Sequence, residues 1–390
     1  MKEAGILLAL LTVLSPAGYA QIYAENLPID HPAIRYFEGP LDDPVARLGS
    51  RKVRLEFRAG GLGYLPSLLE HLGVNPDSQA LVFSKTSFQA ARISPRNPRA
   101  IYFNDEVAVG FVPGGDGYEV AAVDPRQGVI FYSLVARETD QPRSTRREEC
   151  LHCHQGAATL GVPGFFIGSV YPNASGMPAR LGAIITDNRT AFADRWGGWY
   201  VDGTHGSQRH KGNAVASDPA EPQSLGPLAM RFDKSGYLTP VSDIVALMTF
   251  EHQTQMTNFI TRVGWDARMG SSQLDADIEA MVAYMLFAEE APLAEPVRGV
   301  STFTETFPRR GPRDRQGRSL RDFDLKTRLF RYPLSYMVYS AAFDALPEDV
   351  LARVYRRIYD AKIGGRTAGE RKAIVEILRD TKGNLPPYWR

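Results

Sequence analysis

Cys150 and Cys153 stand three residues apart, His154 follows the second directly, and no other cysteine occurs in the 390 residues. Two thiols at this spacing can each form a thioether to one of the two vinyl groups of a single haem. The imidazole that follows is then carried beneath the iron and binds it as the proximal ligand. Cys150-Leu151-His152-Cys153-His154 therefore reads C-x-x-C-H, the attachment sequence for one covalent c-type haem. Two rival uses of the thiols exist. A disulfide or redox dithiol would suit an oxidising compartment, but a redox C-x-x-C opens a helix after a strand. Here Gln141 to Arg147 reads as a polar loop. Zinc could recruit His205 and His210, five apart, yet 51 residues separate that pair from Cys153, and zinc leaves His154 without a purpose.

The N-terminus assigns the thiols a compartment. Lys2 precedes an apolar run from Ile6 to Leu14, and the small residues Gly18 and Ala20 are consistent with cleavage before Gln21. This is the pattern of a secretory signal peptide over residues 1–20, too short to span a bilayer. No later segment has enough uninterrupted apolar residues to do so. Haem c is attached on the outer side of the bacterial inner membrane, so leader and motif both point to the periplasm.

On Cys150, Cys153 and His154 the chain resembles a c-type cytochrome, a resemblance that covers five residues. It implies covalent haem, proximal His154 and redox activity at iron. It does not extend to the compact class I cytochrome c fold, because roughly 130 residues rich in strand patterns precede the motif. The expected relative is a larger, monohaem periplasmic cytochrome c-like protein.

Composition predicts a folded chain: 44% hydrophobic and 23% charged residues, with 45 basic against 44 acidic. That balance implies no nucleic-acid surface. The pattern predicts an α+β protein. A β-rich N-terminal region spans 21–148, with Val53–Phe57 and runs between Ala80 and Val135 alternating at strand period around turns such as Pro113 to Gly117. An irregular haem-attachment region spans 149–240. A helical C-terminal region spans 241–390, with helices from Asp243 to Arg262, Leu274 to Glu289, Pro333 to Leu346, Val350 to Ala361 and Ala368 to Arg379. Thr367 and Glu370 form a capping-box pattern before the last.

The distal side of the iron separates a carrier from a catalyst. His252 is the foremost candidate, because Met248, His252 and Met256 share one stripe of a helix. Met248, Met256, His205, His210 and an open position are the alternatives. Arg180, Arg195, Arg209 and Lys211 are candidates to meet haem propionates. The leading expectation is a carrier of single electrons between redox partner proteins. The alternatives are a haem enzyme with an open distal site acting on a small redox substrate, and a haem sensor or subunit of a larger cytochrome complex.

Overall fold

The computed structural model describes residues 25–51, 53–140, 142–218, 221–228, 232–361 and 367–389. The expected leader at 1–20 and its cleavage point lie outside them. Two short helices, α1 (Pro44–Ser50) and α2 (Leu65–His71), open the chain. Five strands follow: β1 (Ala80–Val82), β2 (Arg99–Phe103), β3 (Val107–Phe111), β4 (Gly117–Asp124) and β5 (Gly128–Val135). They pair antiparallel in sequence order, with short turns joining β2 through β5. The β4–β5 turn shows why it is tight. Asp124 Oδ1 accepts the N–H groups of Arg126 and Gln127, and Gly128 sits at φ +86°. A Cβ at Gly128 would lie 2.6 Å from Thr261 Cγ2.

Two further strands extend this sheet. β6 (Thr145–Arg146) pairs with β5, and a later strand, β9 (Trp199–Tyr200), pairs with β1, giving the order β6-β5-β4-β3-β2-β1-β9. Part of the expected polar loop before the motif is thus a strand. Between β6 and β9 lie α3 (Leu151–His154), which holds most of the motif, and the hairpin β7 (Ile167–Ser169) with β8 (Ile184–Thr186). A second hairpin, β10 (Ala214–Asp218) with β11 (Glu221–Pro227), follows β9.

Paired residues of an antiparallel sheet share a face. On one face Tyr132 donates to Asp43 Oδ2 at 2.6 Å and Tyr118 to the Leu62 carbonyl at 2.8 Å, so the N-terminal segments cover it. The other face carries the row Phe103, Ala108, Ala121 and Phe131, and beside it Ile101, Gly110, Glu119 and Ser133. Helix α4 (Ile244–Met269) lies at the Phe103 end, where Phe250 stacks on Phe103 with centroids 4.4 Å apart. The motif lies at the Phe131 end.

Helix α4 is buried over nearly its whole length, because α5 (Leu274–Met285), α6 (Phe303–Arg309) and α7 (Ala341–Asp344) pack against it. Helices α8 (Glu348–Asp360) and α9 (Ala368–Thr381) follow, and the Thr367–Glu370 capping box closes as the sequence predicts. None of the described helices is long and apolar enough to cross a membrane.

The chain is a mixed α and β protein with a seven-stranded antiparallel sheet, unlike a compact class I cytochrome c. Two expected elements differ. Val53 to Phe57 joins no sheet, because the Glu56 N–H is taken by the Ser67 hydroxyl at 3.0 Å. Pro333 to Leu346 breaks into a 3-10 turn and α7, because Ser335 and Ser340 each cap a new start.

Asp243 holds the start of α4. One carboxylate oxygen accepts Val245 and Ala246 N–H, and the other accepts Val300 and Ser301 N–H. Asp243→Ala strands two buried and two partly buried donors and should cost about 3 kcal/mol of unfolding free energy. Urea denaturation measures this, and an unchanged midpoint would show the cap to be dispensable.

Candidate haem-attachment site

A 3-10 turn over Glu148–Cys150 runs directly into α3. Residues three apart on a helical turn share a side, so Cys150 and Cys153 face the same way. Both thiols are free, Cys150 half-buried and Cys153 exposed. Burial, with the nearby Glu149 and Glu119 carboxylates, pushes the Cys150 thiol up to about 11.

His154 is the most constrained group of the motif. Its Nδ1 lies 3.0 Å from the Gly164 carbonyl, which only accepts, so Nδ1 carries the proton and Nε2 presents a lone pair. The Gly164 N–H returns a bond of 2.9 Å to the His154 carbonyl. Helix α4 fixes the next residue. Asn258 accepts the Phe165 N–H at 3.0 Å and donates to the Phe165 carbonyl at 2.7 Å. A Cβ at Gly164 would lie 2.1 Å from Asn258 Oδ1, so the clamp needs glycine there. Phe131 and Phe166 flank the imidazole, with centroids 4.8 and 5.1 Å away.

Burial is the main reason that the His154 pKa falls to about 4; the Gly164 bond opposes it, nearby Arg99 adds to the fall and Glu119 counters it. The ring is neutral at neutral pH, the form that binds metal. Glu119 itself is held by Arg99 at 2.6 Å and Gln89 at 3.4 Å.

Three large apolar side chains are exposed on the segments that follow β1 and connect β7 to β8. Phe88 is 70% exposed and adjoins Gln89, Met177 is 48% exposed, and Leu181 is 78% exposed on the hairpin that continues from Phe166. Lys85 N–H bonds to the Gly176 carbonyl, tying the Phe88 and Met177 segments together. Two thiols on one side and a neutral imidazole whose Nδ1 is already bonded suit a macrocycle held covalently and at its metal.

The expected distal ligands are placed elsewhere. His252 lies in the core with Nε2 2.7 Å from Ser335 Oγ and Nδ1 3.3 Å from Asn188 Oδ1, stacked on Phe287 and Tyr284. Both nitrogens are taken in this structure, where His252 stands as a satisfied core histidine rather than beside the motif. Met248 and Met256 are buried on the same helix. His205 and His210 face one another, Nε2 to Nε2, at 3.3 Å. Arg195 is unsuited to propionates, because its guanidinium already serves Glu251 and the carbonyls of Thr190 and Asn188. Lys211 holds Asp194 at 2.7 Å, and Arg180 and Arg209 remain exposed. Asn258, Gly164, Phe131 and Phe166 carry no motif signal. The Asn258 clamp spans 93 residues of sequence.

No protein-family model, curated protein or solved structure matches this chain.

Two outcomes test this geometry. In 15N spectra of the haem-free chain, His154 should show a protonated Nδ1 and a pyridine-type Nε2, with a midpoint near 4. A midpoint near the ordinary value would show the ring to be solvated. Because the unfolded chain takes up this proton at higher pH than the fold does, His154 removes stability as pH falls from its ordinary range, about 6.5, toward 4. Asn258→Leu leaves the Phe165 N–H and carbonyl without partners and should lower unfolding free energy by about 3 kcal/mol. Equal stability would show that α4 does not hold the His154 segment.

Proposed function

We propose that this chain is a periplasmic monohaem c-type protein that passes single electrons between redox partner proteins. Cys150 and Cys153 would hold the haem covalently, and His154 Nε2 would bind the iron. One observation carries the reading: Nδ1 of His154 is bonded to Gly164, so the tautomer is the one a proximal ligand needs. Haem bound there supplies one-electron exchange between ferric and ferrous iron.

The chain's own residues tune that centre. The Gly164 carbonyl raises the basicity of the His154 ring. The partly buried Glu119 carboxylate favours the more positive iron state. Exposed Cys153 would bring one edge of the macrocycle near the surface, where a partner protein can approach. A second reading, catalysis or sensing at an open distal position, is supported by the placement of His252, Met248 and Met256 in the core and of His205 against His210.

Expression with cytochrome c maturation machinery tests both. Haem should survive acid-acetone extraction, and the intact mass should equal residues 21–390 plus one haem. Complete extraction refutes covalent attachment, and a retained Met1 refutes cleavage. Cys150→Ala with Cys153→Ala should abolish attachment. A ferrous spectrum indifferent to carbon monoxide favours the carrier, and a carbon monoxide adduct favours the open site.

A further inference from the structure

The loop after β9 brings His205 and His210 together, and its geometry is built rather than incidental. Asn213 closes the loop by accepting the Val201 N–H at 2.9 Å and donating to the Val201 carbonyl at 2.7 Å. Gln208 donates to the His205 carbonyl at 2.9 Å and to the Glu295 carbonyl at 3.0 Å. Gly206, at φ +63°, lies so close to Glu295 that a Cβ would meet its carboxylate oxygen at 2.1 Å. The Trp196 ring, 5.3 Å from His210, backs that imidazole.

Within this frame the two Nε2 atoms are 3.3 Å apart, the ring planes cross at 72° and the centroids lie 4.7 Å apart. A straight N–H···N bond at that separation would place the centroids about 5.5 Å apart. The rings are therefore tilted out of that straight alignment. Two nitrogens bound to one tetrahedral zinc are about 3.4 Å apart, given bonds of about 2.0–2.1 Å. Pairing the imidazoles with each other also leaves both Nδ1 atoms buried without a partner among the described residues, so the pairing brings little of its own.

We propose that His205 and His210 form a site for a borderline divalent transition metal, Zn2+ or Cu2+, bound through both Nε2 atoms. Imidazole donors without oxygen ligands exclude Mg2+ and Ca2+ as occupants. Among the described residues no third histidine, cysteine or carboxylate completes the set. The remaining positions on the metal therefore belong to water or a small exchangeable ligand, which makes this an open site rather than a closed structural one.

Calorimetric titration of the haem-loaded, chelator-washed chain with Zn2+ tests the site. One equivalent should bind in the micromolar range, and His205→Ala and His210→Ala should each weaken it by about 30-fold or more. His31→Ala, remote from the loop, should leave it unchanged. Zinc K-edge absorption of the unsubstituted chain should show two imidazoles per zinc, a result independent of whether the variants fold. Binding that survives both substitutions, an absence of micromolar binding, or a spectrum without two imidazoles overturns the proposal.

Discussion

The bond from His154 Nδ1 to the Gly164 carbonyl is the interaction on which the candidate site depends. A C-x-x-C-H segment brings thiols and imidazole near one another, but it does not decide which imidazole nitrogen is free. The carbonyl decides that, and it stays in place because Asn258 clamps Phe165 from helix α4. The motif is thus held by a helix that begins some ninety residues later.

This explains the size of the chain in physical terms. One sheet face is divided between α4, packed on Phe103, and the motif, packed on Phe131. The sheet fixes the distance between them, while α4 fixes the loop that carries Gly164. Helix α4 can be buried on all sides only because later helices cover its far surface, and its polar residues are then obliged to find partners. His252 finds Ser335 and Asn188, Gln253 finds the Asn104 carbonyl, and Asn258 finds Phe165. The same requirement that encloses His252 makes Asn258 a support for the segment that holds His154.

Much of the local structure was legible in the residues. Strand alternation around Pro113 to Gly117 encoded the hairpins. Ser242 or Asp243, and Thr367, announced two helix starts, and Asp243 and Thr367 cap them. Where the reading failed, a side-chain hydroxyl competed with the backbone ladder: Ser67 took the Glu56 N–H, and Ser335 and Ser340 divided an expected helix. Such competition depends on neighbours that periodicity does not see.

By itself the sequence determined which groups the motif offers, because thiol spacing and an adjacent imidazole are covalent facts of the chain. It also determined the sheet and the long helix, because period and turn residues act locally. Tertiary structure alone decided the tautomer of His154, the enclosure of His252 and the meeting of His205 with His210. The first two depend on contacts between segments far apart in sequence. The third, although only five residues separate the pair, depends on a loop whose shape is held by Asn213, Gln208 and Glu295. Periodicity reports which face of an element is apolar, but which polar atoms face each other is settled only when all the elements are packed.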